Sequence, residues 1–180
     1  RVGLDGTGDV RLTDPKYTHT VTISPDNNFI VDVIQTHKDP PVSRLLDGSG
    51  KVLKELAASD MTKFNELKLT KSEQFTYLAA DGKTQLYGMI SFPADFDPAK
   101  KYPALASVYG GPGSAVTSES FATPSPTANY GFLMLQLSSR SAPGMGKRAL
   151  DAAYLNLGVT EMDDMALGVK ALWSRPYFDR

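Results

Sequence analysis

Two apolar runs limit what this chain can become. The first, Tyr102-Pro103-Ala104-Leu105-Ala106-Ser107-Val108-Tyr109, runs straight into Gly110-Gly111-Pro112-Gly113, a turn too rich in glycine to prolong a strand. The second is Gly131-Phe132-Leu133-Met134-Leu135-Gln136-Leu137. A strand with one wet face alternates apolar and polar residues, so runs this continuous predict strands covered on both faces. A helix follows them. Thr160-Glu161-Met162-Asp163 sets a hydroxyl and then acids before a run in which Met162, Met165, Ala166, Val169, Leu172 and Trp173 recur at helical spacing, predicting a capped amphipathic helix with that stripe in the core. Buried strands followed by a helix are the order of an α/β domain, in which a further buried strand is expected after Trp173-Ser174-Arg175-Pro176.

The remaining residues read differently. Up to about residue 57 they form short strand-like stretches separated by turn residues. Thr20-Val21-Thr22-Ile23 and Phe29-Ile30-Val31-Asp32-Val33-Ile34 flank Ser24-Pro25-Asp26-Asn27-Asn28. Arg44-Leu45-Leu46 and Lys51-Val52-Leu53 flank Asp47-Gly48-Ser49-Gly50. Two successive hairpins make one four-stranded sheet, the pattern of a propeller blade and equally of a small antiparallel sheet. Asp5-Gly6 adds a turn between strand-like flanks, as in the middle of a sheet. Residues 58–74 are polar and weakly periodic and read as a connector. Phe75 to Ala80 and Gln85 to Phe92 then flank Asp81-Gly82-Lys83-Thr84, a hairpin signal, and residues 94–101 read as a surface loop.

Composition narrows the partners. With 180 residues, 41% hydrophobic and 22% charged, the chain can build a core, and its net charge of −1 offers no basic face to a nucleic acid or an anionic membrane. No cysteine is present, so thiol catalysis and cysteine-ligated zinc are excluded within these residues, and the compartment stays open. No run of about 18 apolar residues occurs, and no targeting segment is legible.

Motifs for catalysis are mostly missing. A hydrolase nucleophile elbow requires Gly-x-Ser-x-Gly, and neither Gly48-Ser49-Gly50 nor Gly111-Pro112-Gly113-Ser114 has that spacing. Gly144-Met145-Gly146-Lys147-Arg148 lacks the first glycine and the last hydroxyl of a phosphate loop. His19 and His37 have no metal-ligand cluster around them and read as surface or loop histidines. Asp163 and Asp164 read as acids complementing a helix dipole. No triad and no metal site can be composed from these residues. Tyr109, at the tip of an apolar strand, is the feature left over, and on pattern alone it reads as a packing residue.

The order of the pieces carries a resemblance. FTYLAADGKTQLYGMISFPADFDPAKKYPALASVYGGPG, Phe75 to Gly113, is similar to the entry of the catalytic domain in the prolyl oligopeptidase family of serine peptidases, most closely its dipeptidyl-peptidase-IV-like branch. Asn129 to Phe132, Ser139 to Gly146 and Leu155 to Asp164 continue in register, and His19 to Asp26 with Asp39 to Val42 resemble the end of that family's β-propeller.

The resemblance implies the last blade of a propeller at 1–57, a connector at 58–74, and the N-terminal half of an α/β-hydrolase domain at 75–180. It implies an internal piece of a serine peptidase that takes peptide substrates and releases N-terminal dipeptides with Pro or Ala second. No cofactor is implied; the partners are the remainder of the hydrolase domain and, for the whole enzyme, a second copy in a homodimer. Nucleophile, Asp and His are expected beyond Arg180. A catalytically silent protein-binding relative, and an acyl-peptide hydrolase or esterase of the same fold, are the alternatives. Tyr109 takes the place of the family's oxyanion-hole tyrosine. Arg140-Ser141 departs from the family's Arg-Gly pair, and Arg140 is read as structural.

Overall fold

The computed structural model describes residues 1–113, 117 and 119–180. They fall into two compact units, Arg1–Met61 with Glu119–Phe121, and Thr62–Ser118 with Ala122–Arg180.

The first unit is an antiparallel meander of β1 (Thr18–Ile23), β2 (Phe29–Gln35), β3 (Val42–Asp47) and β4 (Val52–Ala58), in that spatial order. Its turns follow from their acids. Asp26 accepts from the Ser24 hydroxyl at 2.6 Å and the Asn28 amide at 3.2 Å, while Asp47 accepts from the Ser49 and Lys51 amides at 2.9 and 3.1 Å. These bonds hold both carboxyls below the usual carboxylate range, the serine hydroxyl contributing most in each. β2 sends Ile30, Asp32 and Ile34 inward, while Phe29 and Val31 on its other face, Val21 and Ile23 of β1 and every residue of β4 are exposed. The N-terminal residues form a turn without regular strand, closed by Val10 N–H donating to the Arg1 carbonyl at 2.7 Å, so the sheet-like flanks of Asp5-Gly6 do not become strands.

The histidines of this unit are partly buried and paired, His19 within β1 and His37 in the loop after β2, where a loop histidine was expected. His19 Nδ1 meets both oxygens of buried Asp32 at 2.9 and 3.0 Å, and its Nε2 lies 2.6 Å from the Asp14 carbonyl. His37 Nδ1 sits 2.6 Å from Glu119 Oε1, and Gln35 accepts from the Phe121 amide at 3.0 Å, which together fix residues 119–121.

The second unit begins with a short helix, α1 (Thr62–Glu66), inside the stretch read as a connector. Its sheet contains β5 (Glu73–Leu78), β6 (Gln85–Ser91), β7 (Ala104–Ala106) and β8 (Leu133–Leu137) in the spatial order β5-β6-β8-β7. β5 and β6 are the expected hairpin; β6 and β8 are antiparallel, and β7 and β8 are parallel. Two further helices follow, α2 (Lys147–Asp151) and α3 (Thr160–Ala171). Leu86, Ile90, Leu133, Leu135 and Leu137 are essentially inaccessible and form the core with Phe75, Tyr77, Met165 and Leu172. Each such aliphatic side chain contributes roughly 1.5–3 kcal/mol on burial. Residues 94–101 are more than a surface loop, because Phe96 packs on Phe92, Tyr102 and Tyr177 with ring centroids 4.5–5.2 Å apart.

Two expectations are corrected here. β7 is only three residues long and has no buried residue, while β8 alternates, with Gln136 outward; among the described residues neither strand is covered on both faces. In α3 the buried face is Glu161, Asp164, Met165, Gly168 and Leu172, whereas Met162 and Trp173 are about half exposed, so the core stripe is turned toward the acids. The cap is also different: the Thr160 hydroxyl donates to the Ala152 carbonyl at 3.0 Å instead of capping its own helix.

Close approach of α3 to the sheet explains Gly168. A Cβ there would lie 2.8 Å from Tyr77 Cζ and 2.9 Å from Leu137 Cδ2, and the Tyr77 ring is pinned by its hydroxyl donating to the Ser138 carbonyl. Alanine in a helix interior ordinarily gains about 1 kcal/mol over glycine. Overpacking a tight core costs about 1–3 kcal/mol. Gly168→Ala is therefore expected to lower stability, by about 1 kcal/mol net, against the propensity trend; a urea midpoint that rises would overturn this packing account.

Candidate functional site

β7 and β8 run parallel, and the turns leaving their carboxyl ends lie side by side, the place where ligands of α/β sheets gather. After β7 the chain keeps sheet contact through Ser107 N–H, which donates to the Leu135 carbonyl at 3.2 Å. Val108 and Tyr109 then leave it, and Tyr109 is 78% exposed. Gly110 and Gly113 adopt φ of +74° and +75°, which L side chains rarely do. At Gly111 a Cβ would lie 2.4 Å from Tyr109 Cε1, so the glycine gives the tyrosine ring its position over the turn.

The turn after β8 supports this one. Gly113 N–H donates to the Ser141 carbonyl at 3.0 Å, and the Ser141 hydroxyl reaches the Gly110 carbonyl at 3.5 Å while pairing with the Ser139 hydroxyl at 2.6 Å. Ser141 is buried and stands on a built hydrogen-bond path to the Tyr109 turn, which gives the Arg140-Ser141 departure a physical role. Below Gly110, a Cβ would come within 3.3 Å of Glu161 Cγ and 3.6 Å of Met165 Cε, so α3 forms the floor.

Asp164 organises the whole. It is fully buried and accepts from the Ala80 amide at 2.9 Å, the Arg140 amide at 3.0 Å and Arg140 Nε at 2.9 Å. Arg140 also reaches Asp81 at 3.6 Å, and its pairing with Asp164 holds the guanidinium above its ordinary pKa. Asp81 is pulled down to about 2, chiefly by the Thr84 amide, then the Thr84 hydroxyl and the Lys83 amide. Sequence reasoning took Asp164 for a dipole residue; its place on the face of Met165, Gly168 and Leu172 was the signal that it points inward. Arg140 is structural here, as expected from the sequence.

The sequence expectations meet at one residue. Tyr109 stands exposed at the head of the turn, with a hydroxyl able to donate to a ligand there. Ser49 lies in the first unit's hairpin turn, and Ser114 lies outside the described residues. Among the described residues no group of three or more His, Cys, Asp or Glu could hold a metal ion, and no helix is long and apolar enough to cross a membrane. Beside the turn, Pro112, Leu150, Ala153, Tyr154, Leu155 and Leu157 line an apolar cleft of about 580 Å³.

Removing the Asp164 carboxylate would leave a largely buried guanidinium and two amides without their acceptor. Breaking one side of such a pair costs about 3–5 kcal/mol. Asp164→Ala is expected to lose that much in chemical denaturation, and Asp163→Ala, at the exposed neighbour, to stay within about 0.5 kcal/mol. Equal losses at the two positions would return Asp164 to a helix-dipole role.

No protein-family model matches the chain. Among curated proteins, human dipeptidyl peptidase 8 is 29% identical over 177 residues, 92% of this chain and 20% of the relative. Dipeptidyl-aminopeptidase B of Aspergillus fumigatus is 29% identical over 191 aligned positions, 99% of this chain and 20% of the relative. A solved structure from Bacteroides ovatus, assigned to dipeptidyl aminopeptidase IV, superposes with a TM-score of 0.79 at 30% identity, over 91% of this chain and 24% of that one. Porphyromonas gingivalis dipeptidyl peptidase 4 gives 0.73 at 23% identity over the same shares, a likeness of fold. The chain thus spans about a fifth of the length of the curated relatives it matches. The first sheet is consistent with a propeller blade of such proteins. Curated relatives and solved structures agree with the resemblance carried by Phe75 to Gly113: this chain is similar to a segment of the dipeptidyl-peptidase-IV-like peptidases of the prolyl oligopeptidase family.

Proposed function

We propose that the whole protein is a serine peptidase that cleaves dipeptides from peptide N-termini, with Pro or Ala at the second position, and that Tyr109 is a donor of its oxyanion hole. Residues 1–57 are then the last propeller blade, 58–74 the connector, and 75–180 the N-terminal half of the hydrolase domain. The strand order β5-β6-β8-β7, with only its last pair parallel, supports the hydrolase reading. So does the parallel bridge between Tyr102 and Phe178, in which Tyr102 N–H donates to the Tyr177 carbonyl at 2.9 Å and Asp179 N–H to the Tyr102 carbonyl at 3.0 Å. On this reading the bridge is the start of another strand on that side of the sheet. On this reading the strand leads to the nucleophile elbow, followed by the Asp and the His.

The observation that carries the proposal is Tyr109 itself: an exposed phenol at the carboxyl end of a parallel strand, on a turn fixed by Ser141 and floored by α3. Attack of a serine on a peptide carbonyl moves a full charge onto the carbonyl oxygen. A donor already in place for that oxygen needs no reorganisation as charge develops, and a backbone N–H next to the serine completes the pair.

Loss of one oxyanion donor costs about 2.7–4 kcal/mol, roughly a hundred- to a thousandfold in kcat. Tyr109→Phe in the full-length protein is expected to lose that factor with KM changing far less. The melting temperature should hold, since the ring stays and the deleted hydroxyl is on an exposed residue. Unchanged kcat on proline-containing dipeptide anilides would remove Tyr109 from the catalytic set. Turnover of acetylated amino-acid anilides in their place would reassign the enzyme to acyl-peptide hydrolysis.

A fluorophosphonate probe is expected to label the full-length protein and to leave the 180 residues alone unlabelled. Labelling of a serine within residues 1–180 would refute the triad assignment.

A further inference from the structure

One side chain of the first unit meets an acceptor at each of its two ring nitrogens. His19, in β1, has a side chain only 11% exposed. Its Nδ1 lies 2.9 and 3.0 Å from the two oxygens of Asp32, a buried carboxylate of β2, and its Nε2 lies 2.6 Å from the Asp14 carbonyl. A neutral imidazole has one N–H and one lone pair. With the proton on Nδ1, the Nε2 lone pair would face the Asp14 carbonyl; with it on Nε2, the Nδ1 lone pair would face a carboxylate. Only the imidazolium, which donates from both nitrogens, makes each of these contacts a hydrogen bond.

The contact at Nε2 closes a turn. Asp14-Pro15-Lys16-Tyr17 leads into β1, with the Tyr17 amide donating to the same Asp14 carbonyl at 3.3 Å and the Lys16 amide to Asp14 Oδ1 at 3.0 Å. Proline at the second position suits such a turn. On the other side of Asp14, residues 9–13 line a cleft of about 540 Å³ together with Val21, Ile23 and Ile30, beside β1 at one end of the described sheet. The charged groups that face this arrangement are Asp32 from β2, Asp14 and Lys16 in the turn, and Arg44 of β3. Arg44 pairs with Asp32 in register, while its guanidinium lies 6.0 Å from the Tyr17 ring centroid.

We infer that His19 is a pH-operated clasp: as the imidazolium it joins the Asp14 turn to the Asp32 carboxylate of β2, and as the neutral ring it keeps Asp32 and releases the turn. The proton lost is the one on Nε2, because that proton faces a neutral carbonyl while the one on Nδ1 faces a carboxylate, the stronger acceptor. The doubly protonated ring is the low-pH form, so the clasp is closed on the acid side and opens as pH rises. Opening removes a donor from the Asp14 carbonyl and sets a lone pair against it. The turn from which residues 9–13 extend beside β1 then loses its anchor to the sheet. The inference stands within the first unit and is independent of the reading of Tyr109.

The test is hydrogen exchange in the full-length protein between about pH 5.5 and about pH 9, corrected for the intrinsic pH dependence of exchange and read on peptides covering residues 14–18 and, as a reference, β2. A hydrogen bond to a charged group biases such a local equilibrium roughly ten- to a hundredfold. Protection of the Lys16 and Tyr17 amides is expected to fall by that factor as pH rises, while β2 keeps its own. His19→Gln has no second protonation state and is expected to give low protection at every pH. Asp32→Asn removes the charge facing Nδ1, so the fall should set in at lower pH. Protection that stays level in the native protein, that falls equally in β2, or that still varies with pH in His19→Gln overturns the inference. Should His19→Gln fail to fold, Asp32→Asn carries the comparison, and an unshifted profile there overturns it equally.

Discussion

The second unit depends on the carboxylate of Asp164. Carried by α3, it takes donors from two segments far from it in sequence: the turn after β5 at Ala80 and the turn after β8 at Arg140. In a low-dielectric interior such a group is costly unless every lone pair is used, and here two backbone amides and a guanidinium use them. The consequence is geometric. Once Arg140 is fixed by its amide and its Nε, Ser141 has no freedom to stand elsewhere, and Ser141 in turn holds Gly110 and Gly113. The exposed Tyr109 owes its position to a buried ion pair it never touches.

Much of this was legible in the sequence because local chemistry decided it. The hairpin around Asp81-Gly82 formed where its turn residues predicted, and so did the turns at Ser24 to Asn28 and Asp47 to Gly50. Tyr109 was marked by its place before a glycine turn and by the resemblance. The rotation of α3 was missed for a physical reason: polarity was taken as a sign of exposure, whereas Glu161 and Asp164 are the inward acids and Met162 and Trp173 the outward apolar residues. His19 was misread in the same way, since it lies within β1 with its carboxylate partner 13 positions away; His37 is in a loop, as read, but its pairing with Glu119 lies beyond any local pattern. Partners distant in sequence leave no trace in periodicity.

The exposed apolar residues have a common explanation. In the first sheet Val21, Ile23, Phe29, Val31, Val52, Leu53 and Leu56 are all exposed, and β4 has no buried residue. A four-stranded sheet that is apolar on both faces is unusual for a freestanding layer, and is what a propeller blade stacked between neighbours requires. In the second unit Leu105, Val108, Met162 and Trp173 are likewise uncovered.

The division of roles around Tyr109 follows from what each interaction can bear. An exposed side chain on a glycine turn has little of its own to hold it. Rigidity must then come from below, from groups whose burial makes their hydrogen bonds strong and their displacement costly. Ser141, bonded to Gly110 and Gly113, and Asp164, which holds Arg140 beside it, are such groups, and both are buried. A hydrophobic floor would pack as tightly but would be indifferent to a shift of a few tenths of an ångström. Hydrogen bonds to Gly110 and Gly113 are directional, and on the reading of Tyr109 proposed above that direction is what an oxyanion donor needs preserved while the carbonyl carbon changes from planar to tetrahedral.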